Sequence, residues 1–143
     1  MDVNCLDRFI QAQEIAYPIA LQEIKNGKKT SHWMWYMFPQ LRGLGTSTIS
    51  CLYGISGLAE AKAYLTHPVL SGRLYELCET LLLHRDKRIE EIFSEVDSMK
   101  LRSSMTLFAL VSIEGSLFYQ VLDCFFEGKP DKETLRLAGQ IYC

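Results

Sequence analysis

The sequence predicts an all-α fold: a single compact orthogonal domain of about seven or eight helices over residues 1–143. Three observations point there. Helix caps and terminators recur along the chain. Apolar residues return at helical spacing. The β-branched alternation joined by tight turns that marks a sheet is missing. A chain of 143 residues can bury roughly 68–70% of its unfolded surface, so no metal or disulfide is required to hold it.

Asn4 followed by Asp7 resembles a capping box for a first helix carrying Phe9 and Ile10. Pro18 suits the first turn of a second helix, where its missing N–H costs nothing. That helix carries Ile19, Ala20, Leu21 and Ile24 and stops at Gly27, a left-handed terminator. The run from Thr30 to Gln40 reads as a helix capped by Thr30 or Ser31 and ended by Pro39, or as a strand with Trp33, Trp35 and Met37 on one face. Both of its faces are apolar, so periodicity does not separate the two; its helical neighbours favour helix. The glycines of Gln40–Gly45 make a loop, followed by a short helix around Ser47–Tyr53.

Ser56 can cap a helix through Leu65. Pro68 opens a longer one with a stripe of Leu70, Leu74, Leu77, Leu81 and Leu82. Ile89, Ile92 and Phe93 sit on a short amphipathic segment. Asp97 is a natural N-cap for a helix with Leu101, Met105, Phe108 and Ala109 on its core face, ended by Gly115. An apolar helix over 116–126 stops before Gly128. Pro130 and Asp131 announce a last one reaching about Ile141.

Composition excludes several functions. The net charge is −2, and a short basic cluster lies at Lys25, Lys28 and Lys29; duplex nucleic acid would need a basic stripe. No apolar run approaches the ~20 residues of a membrane helix. The five cysteines, Cys5, Cys51, Cys78, Cys124 and Cys143, are odd in number and form no CxxC pair, so free thiols in a reducing compartment are expected. The start, Met1-Asp2-Val3-Asn4-Cys5, lacks the charged and apolar regions of a signal peptide. The expectation is a cytoplasmic protein. His32, His67 and His84 are too scattered for HxH or HxxxH pairs, and no metal or cofactor is expected.

The chemistry-bearing residues fall in two segments. The aromatic run holds both tryptophans, with His32 and Gln40 at its ends; aromatic walls beside a few polar groups are how ligand pockets are built. On a helix Trp33 and Trp35 would point about 200° apart, so one belongs in the core and the other can face a ligand. In the second segment Asp97, Lys100 and Ser104 are spaced i, i+3, i+7 along one helix face, with Ser103 a turn from Lys100. A serine beside a neutral lysine can serve as a nucleophile; solvated surface residues are the plainer reading. His67 is expected to hydrogen-bond at a helix start, and His84 to complement a helix C-terminus. Gly43 and Gly45 precede a short helix and could present N–H groups to an anion, although a plain turn plus N-cap accounts for them better.

The strings Ser31-His32-Trp33-Met34-Trp35, Phe38-Pro39-Gln40-Leu41, Gly43-Leu44-Gly45, His67-Pro68 and Ser103-Ser104-Met105-Thr106-Leu107-Phe108 resemble an uncharacterised, mainly bacterial family of small single-domain proteins, sometimes labelled calpastatin. The resemblance runs from about Leu6 to Leu135 and implies an all-helical domain without an established activity. Ser94 stands where the family would carry glycine. The calpastatin label fails on physical grounds. A disordered inhibitor is proline-rich and highly charged, whereas this chain has four prolines, 11% aromatic residues and a mean hydropathy of +0.03.

Two function classes follow. One is an enzyme or binding domain with His32, Asp97, Lys100 and Ser104 as catalytic candidates, and with Trp33, Trp35, Gln40, Gly43, Gly45 and Ser103 as ligand contacts. Its ligand would be a small molecule such as a nucleotide or an ADP-ribose derivative, a class also suggested by a faint similarity of Phe9–Gln13 and Met105–Gln120 to ADP-ribose-linked helical hydrolases. The other is a helical protein–protein interaction module without catalytic activity, anchored by exposed aromatics.

Overall fold

The computed structural model describes residues 3–142, with side chains described for 6–139. The described residues form nine helices: α1 (Val3–Lys25), α2 (Met34–Met37), α3 (Thr48–Leu52), α4 (Leu58–Thr66), α5 (Pro68–Leu82), α6 (Ile89–Ile92), α7 (Glu95–Leu110), α8 (Leu117–Phe126) and α9 (Lys132–Tyr142). No strand occurs among them. No helix is long and apolar enough to cross a membrane.

α7 lies at the centre. It is buried at Leu101 and at every residue from Ser103 to Ala109, and it packs against α4, α6, α8 and α9. α1 lies on α5 and on α2, and α5 reaches α8. Phe9, Tyr64, Phe108 and Phe118 form a chain of ring contacts through the core, with centroids 5.2–5.6 Å apart. Each fully buried side chain of this size contributes roughly 1.5–3 kcal/mol by leaving water.

α1 runs unbroken through Pro18, which corrects the expected start of a second helix there. Proline removes one N–H and crowds the carbonyl four residues back. The stripe of Phe9, Gln13, Ala16, Ala20 and Ile24 nevertheless crosses it without a change of phase, and burying that stripe outweighs the local cost. Asn4 already lies within α1, so it is not an N-cap; its side chain is outside those described.

Two further caps differ from expectation. α4 is entered from Gly57 rather than Ser56, whose backbone N–H donates instead to Glu60 Oε1 at 2.9 Å. α7 is capped by Ser94, whose Oγ accepts from Asp97 N at 3.0 Å. Asp97 therefore stands inside the first turn rather than at the cap. A serine side chain can make this bond and a glycine has none to make it, so Ser94 strengthens the helix start. Ser94→Ala is expected to lower stability by about 1 kcal/mol, read as a shift in the urea midpoint at unchanged slope; no shift would mean that water caps the helix as well as Ser94 does.

α7 stops at Leu110, before Gly115, because Val111 leaves the helical region. The expected caps at Ser47, His67 and Asp131 are formed. Ser47 Oγ accepts from Ser50 N, His67 Nδ1 from Val69 N, and Asp131 Oδ2 from Thr134 N. His84 Nε2 lies 2.7 Å from the Ile24 carbonyl in the last turn of α1, not at the end of its own helix.

Among the described cysteines, Cys51 and Cys124 are exposed and Cys78 is buried, all unbridged; Cys5 and Cys143 lie outside the described side chains. Burial pushes the Cys78 thiol far above its ordinary range. Brief alkylation of the native protein should modify Cys51 and leave Cys78 untouched until denaturant is added. Peptide mapping that found Cys78 labelled as fast as Cys51 would contradict this packing.

Candidate functional site

The aromatic run is mostly loop. Its helical part is α2, a single turn, and long-range polar contacts fix the rest. After α1, Gly27 adopts φ +78°, with Lys87 Nζ only 2.8 Å from where a Cβ would stand. Lys29 N–H then donates to the Ile92 carbonyl at 2.7 Å. Neither Thr30 nor Ser31 caps α2. Both donate their backbone N–H groups to Glu23 Oε1, at 2.9 and 3.0 Å, and Ser31 Oγ donates to Glu23 Oε2 at 2.5 Å. Trp33 Nε1 completes the set at 2.9 Å. Burial alone would push the Glu23 carboxyl up. The Ser31 hydroxyl, the two backbone N–H groups and the indole outweigh it and hold the carboxyl down at about 2. Glu23 and Gln13, whose Nε2 donates to the Tyr36 carbonyl at 2.7 Å, pin the two ends of the run to α1.

The two tryptophans have separate roles. Trp33 is 1% exposed, wedged between Phe38 and Phe93. Trp35 is half-buried and lines a cleft with Phe38, Gln40, Ser50, Tyr53 and Lys100. The enclosed room is about 10 Å³, enough for about one water. Gln40 is held through its backbone, because its carbonyl accepts from Ile55 N at 2.9 Å beside the isolated Leu41–Ile55 bridge. Its side-chain amide makes no hydrogen bond among the described residues, so it is available to a ligand.

Asp97 links the aromatic run to α7. Its Oδ2 lies 2.8 Å from Lys29 Nζ, and the Lys29 side chain is only 7% exposed. Its Oδ1 lies 3.8 Å from Lys100 Nζ. Each ammonium also faces an indole: Lys29 is 4.9 Å from the Trp33 centroid, and Lys100 is 5.3 Å from that of Trp35. One carboxylate thus serves two cations. Lys29 holds it more closely, which leaves the Lys100 charge at the cleft less compensated.

The structure brings Asp97, Lys100, Trp35 and Gln40 together, with Trp33 behind them. His32 is exposed, and no hydrogen bond among the described residues holds its side chain towards the cleft. Ser103 Oγ donates back to the Met99 carbonyl at 3.2 Å. Ser104 is fully buried, and its Oγ has no partner among the described residues. Gly43 is exposed at φ +106°, with Leu137 its nearest neighbour. Gly45 stands beside Ser50, whose Oγ would lie 2.6 Å from an added Cβ; glycine is required there by space. The loop ends in a turn and the Ser47 cap of five-residue α3. Among the described residues no group of three or more His, Cys, Asp or Glu is placed to hold a metal.

Lys29 and Glu23 escaped the sequence analysis. Lys29 reads there as one of a basic cluster. Glu23 had a visible signal: a carboxylate in the last turns of a helix opposes the dipole, and such placement calls for a compensating partner.

The comparisons agree with this architecture. A conserved hypothetical protein from Mycobacterium tuberculosis, Rv1873, solved as a crystal structure, is 43% identical in sequence; the match covers 94% of this chain and 96% of that one, with a TM-score of 0.91. No curated protein matches. The profile described as "Protein of unknown function (DUF1810)" matches residues 3–138, and the chain belongs to that family.

Proposed function

We propose that this protein binds a small anionic ligand bearing a planar ring, of the nucleotide or ADP-ribose class, at the Trp35–Lys100 cleft. One observation carries the reading: Asp97 holds the Lys100 ammonium over the Trp35 ring, beside the unbonded amide of Gln40. Lys100 supplies charge to a phosphate or carboxylate, Gln40 supplies donors, and Trp35 offers a face for stacking. Because the enclosed room takes about one water, an anionic oxygen enters where that water fits and the ring lies across the outer face of Trp35. Ser104 has no part in this reading, since its hydroxyl is sealed from substrate.

Melting curves with ADP-ribose, AMP, inorganic phosphate and adenosine test the proposal. A ligand at 100 times its Kd stabilises by about 2.7 kcal/mol. ADP-ribose or AMP should raise the melting temperature, less so at high salt, and adenosine should not. An equal rise with adenosine would remove the role of charge, and no rise with any anion would refute this ligand class.

The interaction-module reading draws on Val96 and Met99, exposed by 63% and 65% on the turn that carries Lys100. It requires that Val96→Ser and Met99→Ser weaken a protein partner while leaving small-anion binding absent.

A further inference from the structure

A second cleft lies on the far part of α7 and owes nothing to the aromatic run. α8 and α9 both pack on α7, and the turn between them holds them apart. Glu127 and Gly128 both take left-handed conformations, φ +56° and +71°, and Gly128 N–H donates to the Leu122 carbonyl at 3.0 Å. Asp131 N–H then donates to Thr106 Oγ1 at 2.8 Å, which fastens the start of α9 to α7. The gap left between the two helices holds about 200 Å³ of room. A cavity of roughly 150 Å³ is enough for a benzene ring.

The cleft is apolar below and charged at its rim. Ala109 and Leu122 are buried in its floor, and Leu110 and Leu135 flank it, 39% and 38% exposed. The Thr106 hydroxyl has no hydrogen left to donate, because it also donates to the Arg102 carbonyl. Two polar groups remain. The Tyr119 hydroxyl makes no hydrogen bond among the described residues. Asp123 is exposed, and its Oδ1 lies against the turn, 3.0 Å from where a Cβ on Gly128 would stand. No cation lies within ion-pair distance of Asp123 among the described residues. Arg85 lines a separate pocket together with Asp123, makes no ion pair with it, and donates its Nε–H to the Leu82 carbonyl. Apolar walls beneath one carboxylate without an ion-pair partner suit a cation with a hydrocarbon body, and they oppose an anion.

We infer that the α7–α8–α9 cleft is a binding site for a small organic ammonium, its charge meeting Asp123 and its apolar body resting on Ala109, Leu110, Leu122 and Leu135. The occupant differs in charge from the ligand of the Trp35–Lys100 cleft, so either site can stand without the other.

The test is an amide-resolved NMR titration with three probes of matched shape: benzylamine, benzyl alcohol and benzoate. Benzylamine should bind more tightly than benzyl alcohol, by up to about fivefold as expected for an exposed ion pair, and benzoate most weakly. The shifts should gather on 106–110, 119–123 and 128–135. Asp123→Asn, at an exposed position that leaves the fold intact, should bring benzylamine down to benzyl alcohol and leave benzyl alcohol unchanged. Equal binding of all three probes, a preference that survives Asp123→Asn, shifts centred on Trp35, or no shifts in the cleft would each overturn the inference.

Discussion

Asp97→Ala is expected to destabilise the protein by about 2–4 kcal/mol, since breaking a mostly buried ion pair leaves a charge without its partner. The charge stranded is Lys29, whose side chain is 7% exposed and whose ammonium has Asp97 at 2.8 Å. The indole of Trp33 attracts it from the other side, but a ring face alone does not replace a carboxylate. The cap of α7 survives, because Ser94 accepts from the Asp97 backbone and not from its side chain. The loss should therefore be traceable to Lys29. Lys29→Met in the Asp97→Ala background should recover most of it, a non-additivity that a urea-denaturation cycle measures. If Asp97→Ala costs under about 0.5 kcal/mol, an ordinary surface value, then Lys29 reaches water and the pair is not structural.

Glu23→Ala should cost a similar amount, about 2–4 kcal/mol, because hydrogen bonds to a charged acceptor contribute about 1.5–3 kcal/mol each and are not additive. The Glu23 carboxylate collects Thr30, Ser31 and Trp33, so its removal frees the entry to the aromatic run. The pH signature separates this from a general loss of packing. The folded carboxyl is held at about 2, against an ordinary value of 4.5. A depressed folded value means that the unfolded chain takes up the proton first as pH falls. The stabilisation is therefore complete above about pH 4.5 and is lost progressively between 4.5 and 2. The stability of the wild type should fall across that window more steeply than that of Glu23→Ala. Parallel curves would show that Glu23 does not accept these hydrogen bonds.

These two residues mark what could not be read in the sequence. Local signals carried far: the all-α class, the stripe of Leu70, Leu74, Leu77 and Leu81 on α5, and the caps at Ser47, His67 and Asp131 are written within a turn or two of each other. That one of the two tryptophans would be buried was legible too, although Trp33 lies just before the single turn of α2 and the helical angle between them does not apply. The misreadings arose where tertiary contacts override local rules. Pro18 is a break signal by itself, yet the stripe from Phe9 to Ile24 keeps one phase through it, and the core enforces the longer period. Ser31 is a good N-cap residue, but a carboxylate eight positions upstream captures its hydroxyl first. Asp97 is a good cap residue as well; Ser94 lies one turn earlier and takes the place.

The candidate site was legible as two segments but not as a set of contacts. Asp97 and Lys100 share a helix face, so their proximity follows from spacing. Their meeting with Lys29 depends on Lys29 N–H reaching the Ile92 carbonyl across the domain, which no local pattern encodes. The polar spacing of Ser104 with Lys100 suggested a reactive pair, yet the same turn of α7 points Ser104 into the core. Helical periodicity places residues on a face and leaves open which neighbour will cover it.

The indole N–H signals of the two tryptophans offer the most direct test of the central claim, that the Trp35–Lys100 cleft is the ligand site. In a titration with ADP-ribose, the Trp35 signal should move to saturation. The Trp33 signal, from an N–H bonded to Glu23 and 1% exposed, should stay near its starting position. In Lys100→Ala, which removes a partly exposed side chain and should melt close to the wild type, the Trp35 signal should no longer respond. A Trp35 signal that ignores ADP-ribose in the wild type, or that shifts equally in Lys100→Ala, would contradict the assignment of this cleft.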